Sequence, residues 1–285
     1  MAQLVDFSQI FIGSYMMVSK FSSADMNTIR PAVLNTLRLY RTKFISEFGE
    51  LILCCDDRKS WRKKLFPNYK ASRKKTRAAA PIDWENLYEC LNQLKEELSE
   101  WFPYKVIQVE YAEADDIIAQ FVEGCGSDGK RFKQERTLIL SSDKDFVQLH
   151  QFNVRQYSPM QKKFVEGKPM EALHEKIIKG DVGDGVPNIM SDDNVFVDEG
   201  RRQKPITKKK VDAWFEIDPE MYCSAEMLRN YNRNKMLVDL SEVPESIRIN
   251  ITEQFETTAV GDRKRLLTYF INHRLKTLTE NLSEF

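Results

Sequence analysis

The sequence predicts an α/β protein: a mostly parallel central sheet flanked by helices, carrying a basic insert and followed by a smaller helical region. Three observations lead there. Short apolar runs of β type, "QLVDF", "LILCC", "KVIQV" and "TLIL", alternate with stretches of helical period. The runs are apolar on consecutive residues, as strands buried on both faces are, and not in the alternating pattern of a half-exposed sheet. Each run is also followed by acidic residues, and in a parallel sheet the strand carboxyl ends share one edge.

Taken in order, "QLVDF" ends at Asp6 and "LILCC" at Asp56 and Asp57. Between them Ile29, Val33 and Leu37 are spaced as one helical face, in a helix with Pro31 in its first turns, which completes a β-α-β unit. Leu87, Leu91, Leu94 and Leu98 mark a second amphipathic helix. "YKVIQVEYAEADDIIAQFV" then reads as strand, loop and helix, and "RTLILSSDKDFVQLH" repeats that grammar. Residues 150–168 read as a strand and a turn at Ser158-Pro159, residues 186–206 as polar and irregular, and the remainder as mostly helical. The expected division is 1–168 for the α/β core, with the basic insert at about 57–80, and 169–285 for the helical part.

With 285 residues and 30% charged side chains, the chain has the composition of an ordinary globular protein, against collagenous, disordered or membrane classes. The start "MAQLVDFSQIFIGSYMM" has no basic leader and carries Asp6 in its apolar stretch, so export is not expected. Cys54, Cys55, Cys90, Cys125 and Cys223 show no C-x-x-C spacing, and His150, His174 and His273 lie far apart, which disfavours disulfides and structural zinc.

Net charge is zero, 43 basic against 43 acidic residues, but the signs are segregated. The acids are Asp6, Asp56, Glu113, Asp115, Asp116, Asp143 and Asp145 after strands, and Asp181 and Asp184 in "KGDVGDGVP". Two carboxylates about 4 Å apart repel by about 4 kcal/mol at an effective dielectric of 20, so their convergence needs cations. Oxygen-only ligands select hard ions, magnesium with manganese able to substitute. Two such ions about 4 Å apart suit in-line phosphodiester hydrolysis. For any single aspartate the plain alternative is a helix cap, as Asp143 would be for "KDFVQL". Four strand ends finishing on acids together are what favours the metal reading.

From Arg58 to Arg77, "RKSWRKKLFPNYKASRKKTR" holds ten cations and no acid, interleaved by Trp61, Leu65, Phe66 and Tyr69. That pattern suits a phosphate backbone and stacked bases; the alternative is a solvated loop. A second cluster, "RRQKPITKKK", places Thr207, Lys208, Lys209 and Lys210 at a helix start able to hold phosphate.

"VDFSQ", "LCCDDRKSWRKKLFPNYKASR", "AEADDIIA", "SSDKDFVQL" and "KGDVGDGVPNI" resemble, in order and spacing, the flap endonuclease and 5′-3′ exonuclease family, in the branch of the T-even phage ribonucleases H. The resemblance implies a PIN-like nuclease core, a helical arch and a helix-three-turn-helix that grips duplex DNA. It implies two magnesium sites held by Asp6, Asp56, Glu113, Asp115, Asp116, Asp143, Asp145, Asp181 and Asp184. Catalysis would fall to Asp6, Asp56, Asp115, Asp143 and Asp145 with Lys70 and Arg73 near the scissile phosphate. Arg62, Tyr69, Lys74 and Lys75 would line the arch, with Tyr69 stacking on a base. One departure stands out: "NIMSDDNVFVDEGRRQKPITKKK" is longer and poorer in glycine than the family's hairpin at that point, which leaves Thr207 to Lys210 as the substitute phosphate-binding end.

The expected activity is removal of RNA primers and adjacent DNA from lagging-strand fragments, by a monomer in the cytoplasm of a phage's bacterial host. Expected partners are RNA-DNA hybrid and flapped or nicked duplex, with the single-stranded-DNA-binding protein and a sliding clamp as protein partners by family analogy. Two rivals are a haloacid-dehalogenase-type phosphatase, which also uses D-x-D after a strand, and a non-catalytic DNA-binding replication accessory.

Overall fold

The computed structural model describes residues 1–124 and 135–285. Cys125 therefore lies outside the described residues. The first strand, β1 (Ala2–Asp6), leads into α1 (Phe7–Val18) and α2 (Met26–Phe48), and β2 (Leu51–Cys54) follows. The basic insert folds as α3 (Trp61–Leu65) and α4 (Arg73–Ala79). Then come α5 (Trp84–Trp101), β3 (Lys105–Ile107), α6 (Ala114–Gly124), β4 (Thr137–Leu140), a 3-10 segment (Lys144–Gln151), β5 (Val154–Ser158) and β6 (Lys163–Val165). The rest is helical: α7 (Pro169–Lys179), α8 (Lys208–Trp214), α9 (Pro219–Tyr222), α10 (Ala225–Val238), α11 (Glu245–Thr257), α12 (Leu266–Asn272) and α13 (Lys276–Thr279).

The strands form one sheet of order β3-β2-β1-β4-β5-β6, parallel throughout except for β6. Asp6 stands opposite Cys54, and Val5 opposite Leu140, so the chain leaves β1, β2 and β4 at one edge. Alternate residues feed two cores, as the two-residue period of a strand requires. Val5, Leu53 and Leu140 face α1, α2 and α5, whereas Leu4, Ile52 and Ile139 face α6 and α11. Tyr269, Phe270 and Phe285 also bury themselves in the first core, so the end of the chain packs on the sheet's first layer. Residues in and around α7, α8 and α10 build two smaller apolar clusters, one of them shared with Phe66 and Tyr69 of the insert.

Three details depart from or refine the sequence reading. Helix α2 begins ahead of Pro31, at a capping box made by Asp25 and Thr28, because that reciprocal pair satisfies the first free amides. "KDFVQLHQ" is a 3-10 segment: its three-residue period puts Phe146 and Leu149 on one buried face. The 186–206 stretch is irregular but well tied, since Asn188 donates to Lys204 O, Gln203 accepts from Asn188 N, and Val186 and Ile189 are fully buried.

Candidate active site

Four predicted carboxylates stand at the sheet's carboxyl edge without a direct ion pair among the described residues. Asp6 caps α1 by accepting from Gln9 N at 3.1 Å and receives the Ser141 hydroxyl at 3.1 Å. Asp56 accepts from Ala114 N at 2.9 Å and so ties the end of β2 to the start of α6. Asp115 follows on α6, and Asp143 caps the 3-10 segment through Asp145 N at 3.0 Å. Capping is thus real at Asp6 and Asp143, yet it does not settle their charge. Burial, with Asp56 next and Asp143 last among the causes, raises the Asp6 carboxyl from 3.8 to about 7. Burial, then Asp143 and Asp6, push Asp115 well above the ordinary range, and burial raises Asp143 against the opposing pull of Lys176.

The other five acids are already matched by cations. Glu113 is buried beneath Lys70 at 2.6 Å, the Tyr69 hydroxyl at 2.9 Å and Arg62 at 3.3 Å. Although burial opposes it, Lys70 and Arg62 hold the Glu113 carboxyl below its usual value. Asp184 pairs with Arg73, accepts from the Tyr69 hydroxyl at 2.8 Å and lies 3.7 Å from Lys70. Lys176 bridges Asp145 and Asp181, the latter at 2.8 Å. Asp116 is fully buried, paired with Arg62 at 2.8 Å, and accepts from Trp61 Nε1 at 3.1 Å and Glu113 N at 2.9 Å. Among the described residues, no three His, Cys, Asp or Glu side chains lie close enough to hold a metal ion as they stand.

Three expectations need correction. Arg62 is not an open arch cation: it is 2% exposed and spends its donors on Glu113, Asp116 and Leu237 O. Tyr69 is not free to stack on a base, because its ring is buried with Phe66, Ile177 and Val186. Asp116 is not an open carboxylate: it is fully buried and taken up by Arg62 and Trp61 as an internal counter-ion. One cause unites them: Trp61, Phe66 and Tyr69 need burial, and the turns that bury them carry their neighbours inward. Lys70 is drawn in too, at φ 56° with its N–H bonded to Asp184 O at 2.7 Å.

Arg58, Lys59, Lys63 and Lys64 of the insert are exposed, as are Lys74 and Lys75 on α4, with Arg73 half exposed beside Asp184. Thr207 caps α8, only seven residues long, and Val211 of that helix packs on Ile178 of α7. Lys208 turns to Asp212 at 3.4 Å, while Lys209 and Lys210 are exposed. Asp57, which the sequence could not separate from Asp56, turns away to Tyr111 N at 2.9 Å. Cys54 and Cys55 are buried, and burial raises both thiols, as suits inert core residues. Two functional candidates have almost no signature in the sequence: Ser141, whose hydroxyl reaches Asp6, and Lys176. The only sequence signal for Lys176 is its place in the last turn of the helix leading to "GDVGD".

Comparison with known proteins finds relatives along the whole chain. Residues 1–178 match the family model "5'-3' exonuclease, N-terminal resolvase-like domain", and residues 167–285 match "T4 RNase H, C terminal". The chain is 30% identical to the ribonuclease H of Enterobacteria phage T4, over 99% of this chain and 95% of that protein. It is 27% identical to the flap endonuclease Xni of Shewanella baltica, over 56% of this chain and 58% of that one. Among solved structures, the bacteriophage T5 D15 flap endonuclease in complex with DNA and metal ions superposes with a TM-score of 0.61 at 17% identity, covering 90% of this chain and 98% of that one. The T5 5'-exonuclease with bound zinc superposes at 0.57 and 15% identity, covering 90% and 99%. The two family models together span the whole chain, and it belongs to the 5′-3′ exonuclease family, with a C-terminal region of the T4 ribonuclease H type.

Proposed function

We propose that this protein is a magnesium-dependent, structure-specific 5′ nuclease that hydrolyses phosphodiesters in RNA-DNA hybrid and in flapped or nicked duplex DNA. One observation carries the reading: Asp6, Asp56, Asp115 and Asp143 converge at the sheet edge, and the uptake of protons by Asp6, Asp115 and Asp143 is driven by burial and by neighbouring acids. All the donors are carboxylate oxygens, the chemistry of hard divalent cations, and an ion would relieve the repulsion. The residues fit such ions, which would be held by these four, with Asp145, Asp181, Asp184 and Glu113 completing the sites after yielding their cation partners. Bound ions would supply an activated water and stabilise the leaving oxygen.

This chain's own residues do the remaining work. Asp6 and Asp56 are fixed by backbone amides, so their oxygens are oriented before any substrate arrives. Lys70 and Arg73 sit where a phosphate at the carboxylate edge would meet them, and binding it would exchange Glu113 and Asp184 for phosphate oxygens. Lys74 and Lys75 continue that charge along the outer face of α4. Residues 169–285, including Lys208 to Lys210, form the proposed duplex-binding region. No described helix is long and apolar enough to cross a membrane, and we place the enzyme in the cytoplasm of an infected bacterium, as a monomer. Contacts with a single-stranded-DNA-binding protein or a sliding clamp belong to the same proposal.

The test is incubation of a 5′-labelled flap and a labelled RNA-DNA hybrid with and without magnesium. Release of short 5′ products only with magnesium is the expected result. Binding without cleavage in both conditions would return the protein to the accessory class, and a phosphorylated aspartate trapped during turnover would favour the phosphatase.

A further inference from the structure

Lys176 belongs to α7, yet its ammonium lies between two acids from separate parts of the chain. It pairs with Asp145, just after β4, and with Asp181 at 2.8 Å, just after α7. Lys176 is 17% exposed, and both carboxylates are about one-fifth exposed. The loop that presents Asp181 is rigid: Asp184 N bonds to the Asp181 carboxylate at 3.0 Å, and Asp181 and Val186 exchange backbone hydrogen bonds. Gly180, at φ +66°, closes this loop, where a Cβ would come within 2.2 Å of Val186 O. The two carboxylates are therefore held facing a common point, and a lysine occupies it.

We propose that Lys176 is a built-in competitor for a divalent cation: it fills the place between Asp145 and Asp181 in the metal-free protein and must swing out for an ion to enter. This rests on the metal reading given above. The physical case is one of exclusion. An ammonium at hydrogen-bonding distance and a magnesium at about 2.0 to 2.1 Å cannot share the same two oxygens without strong repulsion. Lysine suits displacement because its ammonium rides on a flexible four-carbon stem. The device keeps Asp145 and Asp181 in place without metal, and it weakens the ion that binds there relative to one bound among Asp6, Asp56, Asp115 and Asp143.

The competing explanation is a structural ion pair that merely pins the 181–186 loop, reinforced by the negative end of α7. Calorimetric titration of the metal-free protein with manganese, in the absence of DNA, separates the two. Wild type is expected to bind a tighter and a weaker ion. Lys176→Met should tighten the weaker one about tenfold, a difference of about 1.4 kcal/mol. Lys176→Arg, whose planar fork holds two carboxylates more firmly, should loosen it several-fold. The melting temperature without metal should fall in Lys176→Met and be restored by manganese. An unchanged or weaker second ion in Lys176→Met overturns the inference while leaving the metal reading intact, and so does an arginine variant that binds manganese as well as wild type or better. If wild type binds no manganese at all, the metal reading itself falls and the inference with it.

Discussion

Two groups of acids at the same sheet edge behave in opposite ways. On the strand side, Asp6 accepts from Gln9 N and the Ser141 hydroxyl and Asp143 from Asp145 N, and with Asp115 they hold protons more tightly than free carboxylates do, Asp143 against the pull of Lys176. On the insert side, Glu113 and Asp116 are at least as buried, yet Arg62 and Lys70 supply their counter-charge, and Glu113 releases its proton more readily than usual. Burial alone therefore does not mark a metal ligand. On the strand side burial and repulsion from neighbouring acids together outweigh the cations within reach, and that balance separates the two groups.

The sharpest way to break the comparison is to neutralise one acid on the strand side. Asp143→Asn should lower the single-turnover cleavage rate by about a thousandfold or more, in the range seen for removing one electrostatic stabiliser of a transition state. It should leave duplex binding close to wild type. The same change should raise the melting temperature of the metal-free protein, since it removes repulsion with Asp115, and should shrink the stabilisation that magnesium brings. Retained cleavage in this variant would remove Asp143 from the reaction.

On the insert side the prediction inverts. Arg62→Leu leaves Asp116 buried without its guanidinium, and breaking a buried pair in this way costs about 3 to 5 kcal/mol. We expect a drop of several degrees in melting temperature, with DNA affinity per folded molecule unchanged. A fall in DNA affinity with stability intact would put Arg62 back among the arch cations.

The two sides should also answer pH in opposite directions. Asp6 has a folded value raised from 3.8 to about 7, so between those values the folded chain holds a proton that the unfolded chain has released. Its contribution is present at low pH, fades as pH rises through that window, and is flat above it. At about 1.4 kcal/mol per unit the upper bound is about 4 kcal/mol, and relaxation of the site should reduce that to about 2. Glu113 is lowered, so its contribution is present above about pH 4.5 and is lost as pH falls through its folded value. Thermal melts of metal-free protein from pH 5 to 8 should show a decline that Asp6→Asn flattens and that saturating magnesium suppresses. A decline unchanged in Asp6→Asn would mean that the charge is accommodated elsewhere.

Much of the fold is legible in the chain itself. The apolar runs mark the strands, and strand ends on acids at 6, 56 and 143 place the edge, because period and termination are local properties of the chain. The division of labour among the acids is hidden there, since it depends on which cation each meets: Arg62 and Asp116 are 54 positions apart in sequence and 2.8 Å apart in space. The basic insert misleads for a related reason. Its cations read as one patch, but the demand of Trp61, Phe66 and Tyr69 for burial turns Arg62 and Lys70 inward and leaves Lys74 and Lys75 outside. Lys176 escapes notice because a lysine in the last turn of a helix is the commonest of surface features.

The smallest effects lie on the insert, where they grade the cations from inside to outside. Arg73 is shared between Asp184 and solvent and also donates to Gly183 O at 3.2 Å, so it stands at the boundary. Arg73→Ala should slow single-turnover cleavage about tenfold, close to 1.4 kcal/mol, with little change in binding. Lys74 and Lys75 are exposed, and Lys75 reaches Glu199 at 3.6 Å. Replacing both with alanine should leave the cleavage step of bound substrate alone and reduce the slope of log affinity against log salt by about 0.9 for each phosphate that is no longer neutralised. If Arg73→Ala alters only the salt slope, it is one more cation on the backbone, and the boundary between the paired interior and the open face moves inward to Lys70. If instead the two lysine changes slow the cleavage step itself, the outer face of α4 closes over the reacting phosphate, and exposure without substrate is a poor guide to what that helix touches.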